Sequence, residues 1–276
     1  MSVRAPTATA VCVREAVIGD ETLRERLSSV PATVVGRFAS ASNATLLVAL
    51  HDADGTVPTV GPEAGLDGLD PHDFAIYKPQ LGEAPLWDFE DGTLWRREVA
   101  ASVVDRALGL GMVPLTVTRD DLPYGIGAVQ ELIPHDPAEH YFVARDLPAL
   151  RPQLRRMVAL DVLLDNADRK AGHVLVDRRA PDPHVRLIDH GVCFHAEPHL
   201  RTVAWDFAGE PVHADERALG ARLASLLAER DPAVAPLEEL LSAREVERLA
   251  ERAQLVASLQ EFPRPVHDRQ YPWPSL

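Results

Sequence analysis

Leu164-Asp165-Asn166-Ala167-Asp168-Arg169-Lys170-Ala171-Gly172-His173 is the densest polar stretch of this 276-residue chain. It lies between an apolar helical stripe (Leu147, Leu150, Leu154, Met157, Val158, Leu164), which Asp146 is placed to cap, and a short apolar strand, Val174–Asp177. A solvated turn would account for such a run by itself. The next element adds to it: Leu187-Ile188-Asp189-His190-Gly191 places an acid straight after a second apolar strand, Val185–Ile188. Two adjacent strands would then hold Asp168, His173 and Asp189 at one edge, a set able to bind a divalent metal and to position a hydroxyl or water.

Upstream of this stretch the pattern is β-rich. A short helix is expected from Asp20 to Leu27, then strands at Ala32–Phe38, Thr45–Leu50 and Phe74–Lys78, with a Gly-, Pro- and Asp-rich surface excursion over 51–72. Trp95, Val99 and Val103 recur at helical spacing within an amphipathic helix, Thr93–Leu108, closed by Gly109 and Gly111, and strands follow at Val113–Thr118 and Ala128–Ile133. Downstream the chain is helical. Leu219, Leu223, Leu226 and Leu227 form one stripe, and a second starts at the capping box Ser242-Ala-Arg-Glu245. From Phe262 the prolines enforce an extended tail over the C-terminal half. The division expected is a loose stretch over 1–12, a β-rich N-lobe over 13–133 and a mainly helical C-lobe over 134–276, with a seam near Glu131–Pro134.

Composition narrows the function classes. There are 28 basic and 42 acidic residues, a formal charge of −14, and no Lys/Arg block, which argues against non-specific nucleic-acid binding. No apolar run approaches the roughly 20 residues of a membrane helix, the N-terminus lacks a signal-peptide pattern, and Cys12 and Cys193 are too few for a disulfide framework. A cytoplasmic protein is expected. Lysine occurs only at Lys78 and Lys170, the other 26 basic residues being Arg. Lys78 ends the strand Phe-Ala-Ile-Tyr-Lys-Pro, where a point cation suits a phosphate, and Glu98 on the following helix could hold its ammonium. The turn Ser40-Ala-Ser-Asn-Ala offers backbone and hydroxyl donors to phosphates, though no glycine follows Gly36 in it.

The order of phosphate turn, strand Lys, helix Glu, seam, Asp-loop and strand Asp resembles the protein-kinase-like superfamily, nearest its phosphatidylinositol 3-/4-kinase and HipA-type branches. Ile76-Tyr-Lys-Pro79, Arg97-Glu-Val-Ala-Ala101, Val104-Asp-Arg-Ala-Leu-Gly109 and Val113-Pro-Leu-Thr116 look like the N-lobe of type II phosphatidylinositol 4-kinases. Leu160 to Arg169 looks like their catalytic loop, and Ile188-Asp-His-Gly-Val-Cys-Phe194 like their metal-binding segment; together these motifs cover about residues 34–195. Leu200-Arg-Thr-Val-Ala-Trp-Asp-Phe-Ala-Gly209 and the Pro272-Trp273-Pro274 ending resemble an actinobacterial subgroup of phosphatidylinositol-kinase-like proteins.

The resemblance implies a bilobal α+β kinase fold and an ATP-dependent phosphotransferase using Mg²⁺ or Mn²⁺. Lys78 would contact the ATP phosphates and Glu98 would pair with it, with Ser42 and Asn43 in the phosphate turn and the backbone of Glu131 and Leu132 meeting adenine at the seam. Asp168 would be the catalytic acid, Lys170 would stabilise the transferring phosphoryl and Asp189 would bind metal. His173 occupies the position of the family's Asn, the second metal ligand; imidazole there favours Mn²⁺ or Zn²⁺ and would lose its metal as pH falls through roughly 6.5. The acidic chain, without a basic patch, points to a protein or small-molecule acceptor rather than a lipid surface. Two rival readings remain: a nucleotide-binding pseudokinase, and a metal-dependent hydrolase built on His173, Asp189, His190 and His195.

Overall fold

The computed structural model describes residues 21–39, 41–61, 65–266 and 270–276. The expectations for 1–12, for Ser40 and for Cys12 lie outside these. The protein is α+β, as its pattern of elements required: an antiparallel five-stranded sheet comes first and a mainly helical part follows. The sheet holds β1 (Ala32–Arg37), β2 (Leu46–Leu50), β3 (Phe74–Pro79), β4 (Thr116–Arg119) and β5 (Gly127–Glu131) in the order β1-β2-β3-β5-β4. In β2, Leu46, Val48 and Leu50 enter one apolar cluster and Leu47 and Ala49 another, because a strand alternates its side chains between faces. The first face is covered by a helix over 21–29 (α1), through Leu23 and Leu27. On the second face Leu66 and Leu69 pack against Leu47, Phe74 and Leu132. The 51–72 segment is therefore not wholly a surface excursion; its end seals one face of the sheet, as two-sided burial of β2 requires.

The helix α2 (Leu94–Leu108) stops at Gly109, whose φ of 70° is the left-handed closure a glycine permits without a Cβ clash. It is not amphipathic. Trp95 and Val99 pack on Ala128 of β5, while Ala100, Val104 and Leu108 join the large helical core with Leu154 and Met157. Sandwiched between sheet and helices, α2 buries three charged residues too, and each needs a partner. Arg97 is bound by Glu245, Glu98 by Lys78, and Asp105 accepts Met112 N–H and Val113 N–H at 3.0 Å each. Burial pushes the Asp105 carboxyl up to about 6.

After a single turn α3 (Tyr141–Ala144), α4 (Arg151–Leu164) begins later than its apolar stripe suggested. Leu150 rather than Asp146 is its N-cap, since Leu147 to Leu150 are taken up by turns around Pro148. A two-stranded ribbon follows, β6 (Val174–Asp177) with β7 (His184–Leu187), and then α5 (Ala214–Glu229), α6 (Leu237–Leu240) and α7 (Ala243–Ser258). The capping box opens α7 as expected: Ser242 Oγ accepts Glu245 N–H and Glu245 Oε2 accepts Ser242 N–H at 2.8 Å. β4 is shorter than expected because Pro114 has no N–H to give a ladder. Among the described residues no helix is long and apolar enough to cross a membrane.

Candidate active site

Lys78 emerges from the end of β3 into a cleft between the sheet and the helical part. Its Nζ lies 2.5 Å from Glu98 Oε1 on α2 and 3.2 Å from Asp189 Oδ1, which follows β7. Burial disfavours the ammonium, but the two carboxylates outweigh it and hold the Lys78 pKa above its ordinary value. Burial likewise works against ionised Asp189, yet Lys78 and His173 pull that carboxyl well below the usual range. Glu98, only 2% exposed, is raised by its burial despite Lys78, and its second oxygen accepts His190 N–H at 3.1 Å. One cation therefore ties sheet, α2 and the Asp189 segment together.

The polar run after α4 supplies the opposite wall. Asp165 ends the helix at φ 52° and Asp189 sits at φ 62°, two non-glycine residues in the left-handed region, a strained conformation that surrounding contacts must hold. They do so. The Asp165 carboxylate accepts His199 N–H at 3.0 Å, Ala167 N–H donates to Val192 O at 3.1 Å, and Ile188 N–H donates to His173 O at 3.0 Å. Beneath them is a buried scaffold whose role sequence reasoning did not assign. Arg169, 0% exposed, binds both oxygens of Asp161, donates to Ile188 O at 2.9 Å and to His190 Nε2 at 2.8 Å. Asn166 donates to Asp161 Oδ1 at 3.1 Å and accepts Asp168 N–H at 2.9 Å. The signal was present as Asp161-x4-Asn166-x2-Arg169, but only burial shows that these residues bind one another.

Asp168 faces the cleft with Oδ2 3.0 Å from Lys170 Nζ, and burial raises its carboxyl above the usual range. The cleft is lined by Lys78, Glu98, Asp168, Lys170 and Asp189, and also by Ser42 and Asn43. Asn43 Oδ1 already accepts Ala84 N–H at 2.8 Å, so this side chain shapes the turn's junction with the 82–84 loop. Glu83 was not anticipated. Its carboxylate accepts Leu94 N–H at 3.0 Å and Trp95 N–H at 2.7 Å, capping α2 and aiming Glu98 at the cleft.

Other expected residues lie elsewhere. Glu131 does not line the cleft: Arg186 holds its carboxylate at 3.1 Å, and its N–H donates to Leu115 O. Leu132, 2% exposed, belongs to the apolar cluster under the sheet. His190 is buried with Nε2 accepting from Arg169, and burial with Arg169 nearby keeps it neutral. His195 donates to Asp88 O at 2.8 Å and accepts Glu197 N–H, away from Asp189. The four-residue hydrolase set His173, Asp189, His190 and His195 therefore does not converge. His173 does reach Asp189, with Nε2 3.2 Å from Oδ2, while Nδ1 accepts Lys170 N–H. Burial lowers its pKa to about 4, so no protonation step near pH 6.5 arises from it.

Protein Rv2133c of Mycobacterium tuberculosis is 36% identical over 277 residues, spanning 88% of this chain and 92% of that protein. The chain belongs to the Rv2133c family. No protein-family model matches it. Among solved structures, it is similar to the Helicobacter pylori proinflammatory kinase CtkA at TM-score 0.49 and 11% identity, covering 85% of this chain and 94% of that one. A Golgi casein kinase with Mn/ADP bound gives TM-score 0.47 at 14% identity, covering 88% of this chain and 75% of that one. Hydra Fam20 with sugar gives 0.48 at 14%, covering 84% and 85%.

Proposed function

We propose that this protein is an ATP- and divalent-metal-dependent phosphotransferase acting on a protein or small-molecule hydroxyl. The observation that carries the reading is the cation bridge of Lys78 to Glu98 and Asp189, set across one cleft from Asp168 and Lys170. Lys78 and Lys170 supply positive charge to a triphosphate, and the turn at Ser42 and Asn43 borders it. Asp168 is placed to take the acceptor proton, and its raised pKa makes it a better base than an ordinary aspartate. The acceptor oxygen forms a bond to the γ-phosphorus, the bond to the β-phosphate bridging oxygen breaks, and ADP leaves with that electron pair.

A metal would be held by Asp189, and by His173 once its Nε2, 3.2 Å from Asp189 Oδ2, gives up the proton that it carries while Nδ1 accepts Lys170 N–H. A carboxylate with an imidazole suits Mn²⁺ better than Mg²⁺, and the ion supplies neutralisation of the phosphate charge. His173→Asn is expected to move the preference toward Mg²⁺, read as the ratio of ATP affinities in the two metals; an unchanged ratio would remove His173 from the ligand set. A pseudokinase reading has one specific support. Both Asp189 oxygens are already engaged, by Lys78 and by His173. ATP turnover by the wild-type protein separates the two.

Calorimetric titration with ATP and Mn²⁺ tests the core assignment. Lys78→Met should weaken binding roughly ten- to a hundredfold, the loss of a charged phosphate contact of about 1.5–3 kcal/mol. The variant also leaves Glu98 buried without its cation, so Lys78→Met/Glu98→Gln serves as the folded control. Affinity equal to wild type in either variant would sink the role of Lys78.

A further inference from the structure

The segment 270–276 does not lie loosely over the helical part. Gln270 O accepts Thr202 N–H at 3.1 Å and Trp205 Nε1–H at 2.9 Å, and Ser275 O accepts the N–H of Ala171, two residues beyond Asp168's neighbour Arg169, at 2.8 Å. Pro272 is buried. Between these anchors Trp273 is 91% exposed, and it lines the same cleft as Asp168 and Lys170. An indole presented to water offers a large apolar face with only two side-chain torsions to order. From the other part of the protein Leu86 lines the same cleft, 36% exposed. The cleft also presents the charged side chains of Lys78, Asp168, Lys170 and Asp189, beside apolar ones such as Leu94 and Val192.

Resting on the phosphotransferase reading, we propose that Trp273 is an acceptor-binding residue and that the acceptor is a sugar-like polyol ring. Such a molecule matches both surfaces. Its axial C–H face stacks on the indole, while its edge of hydroxyls meets the charged side chains and one hydroxyl reaches Asp168. A flexible Ser-containing peptide lacks a ring for the indole, and a phenol lacks the several hydroxyls those side chains would bind. The bond from Ala171 N–H to Ser275 O ties the backbone beside Trp273 to the loop after Asp168, so the stacking face and the base border one cleft.

The probes are glucose, mannose and N-acetylglucosamine, with tyrosinamide and Gly-Ser-Gly as rivals, titrated calorimetrically at millimolar concentration into wild type and Trp273→Ala, with and without a non-hydrolysable ATP analogue and Mn²⁺. At least one sugar should bind wild type and lose about tenfold or more in Trp273→Ala, with most of the affinity retained in Trp273→Phe and the ATP-analogue affinity unchanged in both. Binding of the peptide or tyrosinamide in preference to every sugar overturns the proposal, as does absence of sugar binding. Equal losses for sugar and ATP analogue would overturn it too, by assigning Trp273 to the nucleotide. Sugar binding without any ATP binding would keep Trp273 and remove the phosphotransferase reading; ATP binding without sugar binding does the reverse.

Discussion

Asp168→Asn is expected to lower phosphotransfer by about 10²- to 10⁴-fold while nucleotide affinity stays at the wild-type level. The substitution keeps the size of the side chain and its backbone bond to Asn166, 2.9 Å long, so the loop geometry survives. What is lost is the base. An amide cannot take the acceptor proton, whereas the buried carboxylate beside Lys170 can. Asp189→Asn separates the two acids. It removes one of the two carboxylates on Lys78 and the oxygen facing His173, so metal-dependent ATP binding should fall along with turnover. Radiometric transfer and calorimetric ATP titration on both variants give the comparison. Identical behaviour of the two would refute the division of labour between them.

Arg169→Ala is expected to cost about 3–5 kcal/mol of stability, on the order of 10 °C in Tm, because it leaves the buried Asp161 carboxylate without its cation, with Asn166 as its remaining side-chain donor. The same substitution removes the donor to Ile188 O, so the strained Asp189 backbone loses a restraint and metal-dependent binding should weaken in whatever folded fraction remains. Exposed pairs give the reference. Arg244→Ala, which breaks only a surface pair with Glu247, should change stability by about 1 kcal/mol at most. Thermal unfolding followed by circular dichroism measures both. A decrease for Arg169→Ala no larger than for Arg244→Ala would show that the buried pair does not hold the loop. Asp161→Asn, which retains an acceptor oxygen for Arg169, should fall between them.

Several groups that line this cleft are legible in the sequence because their signals are local. Lys78 stood out in a chain that has only two lysines, at the end of a β-branched and aromatic run closed by Pro79. Gly109 marked the end of α2, and the Ser242–Glu245 box marked the start of α7, since both work through backbone groups within one helical turn. Asp168 and Asp189 could be paired because two short apolar strands close in sequence make a ribbon, which carries its flanking residues to one edge.

The remaining features depend on contacts between distant segments. At the expected seam the Leu132 side chain joins the cluster that Leu69 from the 51–72 segment enters, and the Glu131 carboxylate is held by Arg186 from β7, contacts that strand periodicity cannot express. His173 is a metal-type residue by identity, but its burial lowers its pKa to about 4, against the pull of Asp189, and moves its titration away from neutrality. His190 and His195, adjacent to the metal segment in sequence, are turned toward Arg169 and Asp88. Trp273, 84 residues after Asp189, reaches the cleft only because Gln270 and Ser275 are hydrogen-bonded to the helical part and to the loop after Asp168. Residue identity and local spacing determined which groups could do chemistry here; burial and long-range hydrogen bonding decided which of them face one cleft, because the cost of an unpaired polar group is set by its surroundings rather than by its neighbours along the chain.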